Sequence, residues 1–542
     1  MNATNWQKLS SLISHTLQLT IFSSLHPRVA SSSPIMTDIN VLTVTASELE
    51  AKLNDNSITS RQLVKLYLSQ IAKYNGYLKA VIAVTPEKLL DKTAARLDAE
   101  RAAGSVRGPL HGIPILLKDN IATVPELGLP TTGGSLALVG SRPRKNAEIV
   151  EQLIDAGVII IGKANLSEWS WYRSNMASLG WSAVGGQTQS AYVRGGLRED
   201  DSIGGHSSPG GSSTGSAVAV AAGFSPISVG ADTMGSLIMP SDRSALYTIK
   251  PTVKIVSQTG IIPITLELDS AGPMAKSALD LASLLQILVD PSKTTIPEGG
   301  YRSAATSSWG NIRIGILEPE KWLFDTKLVK YEEQATNQML REWKQAYETL
   351  KSVAKVVKPV TLISLEESTD NGRIKIWNAF DTTFKDLIKD YLSGVDNSKI
   401  HSLEDLIEFN KTHADKELPP GADNQAALLR AVQAKMTEDE YNDIMGSARE
   451  LCGKKGIDKT LEENNVDIII GPGDGPMFGI ALTAGYPVAT VPLGYLEFNG
   501  RPFGMQIAAK AHQEALLIQA QSAWEATFPK RQPPPLHEIA LN

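Results

Sequence analysis

The sequence predicts an α/β fold, a single large domain built on a mixed, mostly parallel twisted sheet with helices on both faces. Three observations point there. Short apolar runs bounded by glycine or proline alternate with helical stretches along most of the chain. The chain has 542 residues, 42% hydrophobic and 20% charged, enough apolar material for a large core. Finally, its last two apolar runs are joined by Asn499-Gly500, a strong hairpin turn signal.

The elements can be justified in chain order. Thr59-x-x-Gln62 is a capping box ahead of a helical stripe, Leu63, Val64, Tyr67, Leu68 and Ile71, which is expected to stop at Asn75-Gly76. Strands are predicted at "LKAVIAV" (78–84), "IPILLK" (113–118) and "GVIIIGK" (157–163), with the helical "PEKLLDKTAARLDAERAAG" between the first two. A strand-like "FSPISVG" precedes residue 231, and residues 289–311 read as a surface connection before the strand "IRIGIL". A helix follows, carrying Met339, Leu340, Trp343, Tyr347 and Leu350. Residues 360–465 read as a helix-rich insertion, and "VDIIIGP" and "YPVATVPLGYLEFNGRPFGMQIA" restore strands. The domain is expected over 41–535, with residues 1–40 as an extension, disordered or targeting.

Charge and composition exclude several classes. The net charge of −6 and the lack of a basic stripe argue against a nucleic-acid partner. No apolar run is long enough to span a membrane. The single Cys452 rules out an intrachain disulfide framework. It falls on a helical stripe after the Thr437-x-x-Glu440 box, so a packed thiol is expected rather than a nucleophile. No metal-ligand spacing is present around the histidines, and His111 and His206 receive no catalytic role. A cytoplasmic location is the expectation, a homodimer is left open, and no cofactor is implied.

The stretch "GGSSTG" (210–215) carries the chemistry. It fails as a phosphate loop because Ser216-Ala217 stand where Lys-Ser/Thr is required. It matches Gly-x-Ser-x-Gly, but "REDDSIGGHSSPG" before it is no strand, as a hydrolase nucleophile elbow needs. The bland alternative is a surface loop whose serines cap the following helix.

Two further segments decide between these. "GADTMGSLIMPS" places Ser236 in another small-residue loop downstream, and "GPLHGIPILLKDN" ends an apolar run at Lys118. With "GKANLSEW" (162–169), residues 249–277 and "TAGYPVATVPLGY" (483–495), the chain resembles the amidase signature family over almost all of 45–530. The resemblance implies an amide hydrolase with Ser236 as nucleophile, Ser212 as relay after a cis Gly211-Ser212 bond, and Lys118 as base. It implies an oxyanion hole from the N–H groups of Thr233, Met234, Gly235 and Ser236. Ser213 and Asp232 are expected to support these loops. Lysine serves as a base only if burial depresses its pKa.

This chain departs from the family pattern at Met234, where many members have glycine, and at Ile238, where many have arginine. Together with Leu237, Ile238 is expected to line an apolar pocket for a neutral acyl or aryl amide. Trp169, Trp171 and Tyr172 are candidates for the cleft floor or for packing. Two other readings stay open: a glutamine-hydrolysing component of an amidotransferase that needs partners, and a binding protein that has kept the fold.

Overall fold

A computed structural model describes residues 39–538 apart from 175, 365–368, 371–372 and 375. The expected extension lies outside the described residues save for 39 and 40. From Val41 onward the chain forms one compact unit. No helix among the described residues is long and apolar enough to cross a membrane.

Eleven strands make the main sheet: β1 (Val81–Val84), β2 (Pro114–Lys118), β3 (Ile159–Ala164), β4 (Ile227–Asp232), β5 (Tyr247–Lys250), β6 (Ser270–Ala275), β7 (Arg313–Ile316), β8 (Val356–Pro359), β9 (Ile468–Pro472), β10 (Val488–Tyr495) and β11 (Pro502–Ala508). Their order across the sheet is β1-β3-β2-β4-β6-β5-β10-β11-β9-β7-β8. The sheet is mixed, as predicted. Parallel pairing falls into two separate runs, β3-β2-β4 and β9-β7-β8. Antiparallel pairs from β4 through to β9 fill the centre.

Local signals explain most boundaries. Thr59 and Gln62 form the predicted capping box at helix α1 (Ser60–Leu78). That helix runs past Asn75-Gly76 because the Asn75 side chain turns back on the chain: its Oδ1 accepts from the N–H of Ala80 and Val81, both at 2.9 Å. Lys79, at φ 48°, closes the helix, so β1 starts later than the apolar run suggests. The Asn499-Gly500 hairpin joins β10 to β11, with Gly500 at φ 85°. Residues 376–464 are helical along most of their length, and Val395–Asp396 pairs with Arg142–Pro143.

Sequence periodicity missed β5, β6 and β8. In β6, "SAGPMA" holds a glycine and a proline, which argue against a central strand. The glycine is needed: a Cβ at Gly272 would lie 2.5 Å from Leu237 Cδ1 and 2.6 Å from the Ile249 carbonyl. The sheet accepts this strand because Leu237 packs down onto it.

This topology places the chemistry. β2 and β4 run parallel, so Lys118 and Asp232 leave the sheet at the same edge. β6 runs antiparallel to β4 with Ser270 opposite Asp232, which brings Asp269 there as well. β5, antiparallel to β6, ends at that edge with Lys250. In open α/β sheets such carboxyl edges are where ligands bind.

Candidate active site

Lys118 is fully buried at the end of β2, and its Nζ donates to Ser212 Oγ at 2.7 Å and to the Ala231 carbonyl of β4 at 2.9 Å. Burial pushes its ammonium down to about 7, against the opposing pull of Asp232 and Asp269. An apolar run ending in lysine therefore delivers an amine able to lose its proton near neutrality.

Ser212 follows a cis Gly211-Ser212 peptide bond, as the resemblance implies, and is buried. Gly211 has no room for a side chain, since a Cβ would sit 2.6 Å from Ser167 Oγ and 3.0 Å from Leu179 Cδ2. Ser213 caps no helix N–H through its side chain; its Oγ donates to the Ala231 carbonyl at 2.9 Å and accepts the Ala231 N–H at 3.1 Å. Its own N–H donates to the Ser236 carbonyl at 3.2 Å. Ser213 thus stitches helix α2 (Thr214–Ala221), β4 and the Ser236 loop together.

That loop hangs from two carboxylates. Asp232 accepts the N–H of Gly235 at 2.7 Å and of Leu237 at 2.5 Å. Asp269 accepts from Thr233 Oγ1 at 2.6 Å and from the N–H of Ile264 and Thr265 at 2.8 and 3.1 Å. Burial raises the Asp269 carboxyl to about 6. Gly235, at φ 95°, lies against Phe478, whose ring would be 2.5 Å from an added Cβ. Ser236 is half-buried, as is Met234.

Two expected substrate contacts are placed elsewhere. Leu237 and Ile238 are fully buried. Leu237 packs with Ala217, Val220, Leu246 and Met274, and Ile238 joins a separate core cluster. The tight Asp232 turn directs both side chains inward, so they are core residues and not a pocket wall. The apolar side chain at the loop surface is the half-buried Met234, packed against the cluster that holds Ile238 and the buried Phe478, whose ring centroid lies 6.0 Å from that of Phe324. A small cavity of about 10 Å³, room for about one water, adjoins the loop and is lined by Asn120, Asp232, Thr233, Asp269, Ile262 and Ile264 among others.

Trp169 and Tyr172 pack in a core cluster that includes Ile262 and Ile264, so they support this cavity from behind. Trp171 donates its indole N–H to the Ala177 carbonyl at 2.8 Å. Trp169, Ser170 and Trp171 are all left-handed, with φ of 52°, 54° and 72°. Three consecutive non-glycine residues in that region store strain, which concentrates at functional sites. Their sequence carries no signal for it.

His111 and His206 are held by structural contacts. His111 Nε2 pairs with the Leu97 carbonyl at 3.0 Å, and His206 Nδ1 with Arg501 at 3.0 Å. Cys452 is buried, its thiol pushed up to about 12 by burial. Among the described residues no cluster of His, Cys, Asp and Glu could hold a metal ion.

Comparison with known proteins gives concordant findings. The family model described as Amidase matches residues 62–479. The Arabidopsis thaliana protein described as "Probable amidase" is 32% identical over 536 residues, 96% of either chain. A glutamyl-tRNA(Gln) amidotransferase chain of Chloroflexus aurantiacus is 36% identical over 286 residues, 52% of this chain and 54% of that one. The peptide amidase of Stenotrophomonas maltophilia superposes with a TM-score of 0.78 at 34% identity, covering 91% of this chain and 98% of that chain.

Proposed function

Because the chain belongs to the Amidase family and its relatives support amide hydrolysis, we propose that it cleaves neutral amides through Lys118, Ser212 and Ser236. The observation that carries this reading is the 2.7 Å contact between the fully buried Lys118 amine and Ser212 Oγ. A serine is a weak nucleophile until a base takes its proton. Neutral Lys118 accepts the Ser212 proton while Ser212 takes that of Ser236. Ser236 Oγ then attacks the carbonyl carbon, and the oxygen becomes an oxyanion.

The oxyanion needs aimed N–H donors. Gly235 directs its N–H to Asp232, which leaves Thr233, Met234 and Ser236 as the donors of this loop. Collapse of the intermediate breaks the C–N bond, the leaving nitrogen takes its proton back through Ser212, and an ester on Ser236 remains. Water, deprotonated by the same relay, releases the acid. Asp232 and Ser213 act as supports, since both are spent on backbone groups.

The substrate reading rests on Met234, a half-buried apolar side chain on the loop that carries Ser236. A neutral acyl group with an apolar side chain suits it. Peptide amides fall within that class, as the name of the Stenotrophomonas relative suggests.

The reading is tested by intact-mass analysis after a fluorophosphonate probe. One adduct is expected on the wild type, none on Ser236→Ala, and labelling slowed about a hundredfold or more on Lys118→Ala. Ser213→Ala should retain labelling. An adduct that survives Ser236→Ala, or one abolished by Ser213→Ala alone, removes Ser236 from the nucleophile's role.

A further inference from the structure

Lys250 ends β5 at the same sheet edge as Lys118, fully buried, and among the described residues its Nζ has no hydrogen-bond partner. A buried ammonium without hydrogen bonds is strongly unfavourable unless opposite charge stands close by. The groups that act on it are Asp232 and Asp269, with Arg449 opposing. Arg449 is itself paired with Glu267 at 2.6 Å. Asp232 and Asp269 are the carboxylates from which the Thr233–Leu237 loop hangs.

The same two carboxylates act on Lys118. In the proposed chemistry Lys118 is neutral when Ser236 attacks. At that moment the loop that must stabilise an oxyanion is anchored to acidic groups, and negative charge behind it opposes the new negative charge in front. Lys250 supplies the cation that offsets them.

We propose that Lys250 is a positioning residue of the site: its ammonium balances Asp232 and Asp269, so that the loop is held by carboxylates without presenting their charge to the oxyanion. This inference rests on the Ser236 reading for its catalytic consequence but not for the charge balance itself. The sign of the consequence follows from the neighbours. Lys250 holds down the Asp269 carboxyl, which burial has already raised. Without the lysine the cation is lost outright, proton uptake by Asp269 offsets only part of it and Asp232 stands unbalanced, so more negative charge faces Lys118 and it keeps its proton to higher pH.

The test compares Lys250→Met and Lys250→Arg by the pH dependence of fluorophosphonate labelling. In Lys250→Met the acid limb should move to higher pH by about half a unit or more while the plateau falls, and Lys250→Arg should return the limb toward wild type. A lower plateau with an unmoved limb, or no change, overturns the proposal. Thermal unfolding at about pH 7, between the Asp269 value of about 6 and the Lys250 value that burial brings down to about 8, gives a readout free of catalysis: Asp269→Asn should lower Tm in the wild type and raise it in Lys250→Met. A fall in both backgrounds overturns the balance. If Lys250→Met does not fold, refolding of the Lys250→Met/Asp269→Asn double variant supports the balance and its failure overturns it. A wild type that takes no label sinks the nucleophile assignment, and the unfolding comparison still decides the role of Lys250.

Discussion

Lys118 Nζ and Ser212 Oγ lie 2.7 Å apart with the lysine wholly enclosed, so the proposed base and relay meet where no solvent can hold the lysine's charge. Burial is the larger influence and Asp232 and Asp269 the smaller, with the amine brought down to about 7. Only the neutral amine can take a proton. The rate of acylation should therefore climb about tenfold per pH unit below neutrality and level off above it. A pH profile of probe labelling from about pH 5 to 9 checks this; a limb near the ordinary lysine value would mean that another group is the base.

The same burial has a stability consequence of opposite character. Lys118 binds its proton more weakly in the folded chain, with a pKa of about 7 against 10.5 for an unperturbed lysine. Below about pH 7 it is charged in both states, and folding carries the full cost of burying it. Between 7 and 10.5 the unfolded chain holds more protons, so this cost fades as pH rises. Lys118→Met should raise Tm, with the gain largest in the acidic range and shrinking toward pH 10. A gain independent of pH would show that lost strain, and not lost charge, is responsible.

The segments of the candidate site were easier to read in the sequence than parts of the sheet. Ser212 and Ser236 lie in small-residue loops and Lys118 ends an apolar strand, and the fold brings Lys118 to Ser212. β6 was hidden because its glycine serves the packing of Leu237 and its proline tolerates a place in the ladder, so neither acts as a breaker. Leu237 and Ile238 were misplaced for a related reason. Sequence adjacency to Ser236 says nothing of direction, and Asp232 folds the loop so that both point into the core. Asp269 and Lys250 lay within the matched segment 249–277 without an assigned role, because what brings them together is one sheet edge shared across antiparallel strands.

Arg243 is a second buried charge whose partners are spread along the chain. Its guanidinium donates to the carbonyls of Gly205 at 2.7 Å and Ser208 at 3.1 Å and to Asp474 at 2.8 Å, and Asp474 also meets Arg501 at 3.1 Å. The two cations hold the Asp474 carboxyl well below the ordinary carboxylate range. Arg243→Met strips one cation from a buried anion and frees the segment that leads into the serine loop. A loss of about 3–5 kcal/mol is expected, read from urea denaturation midpoints. Arg243→Lys should recover part of it, since one ammonium cannot reach three acceptors in the fork geometry of arginine. A loss under about 1 kcal/mol would show that the network is not what fixes this segment.

Gly235 faces two separate demands, and variants can part them. Its φ of 95° disfavours any side chain, and a Cβ would stand 2.5 Å from the ring of Phe478. The ring is carried by the helix Met477–Ala484 and packed in a core cluster, so it cannot simply swing away. Gly235→Ala should therefore displace the loop that carries Ser236 and the remaining N–H donors. Labelling is expected to slow by about a hundredfold, the scale of a lost oxyanion contact. Phe478→Ala added to it removes the collision but leaves the backbone strain, which costs about 1–3 kcal/mol. The double variant should recover part of the labelling rate and little of the stability. Full recovery would mean that the ring alone dictates glycine at 235, and no recovery would mean that the left-handed backbone does.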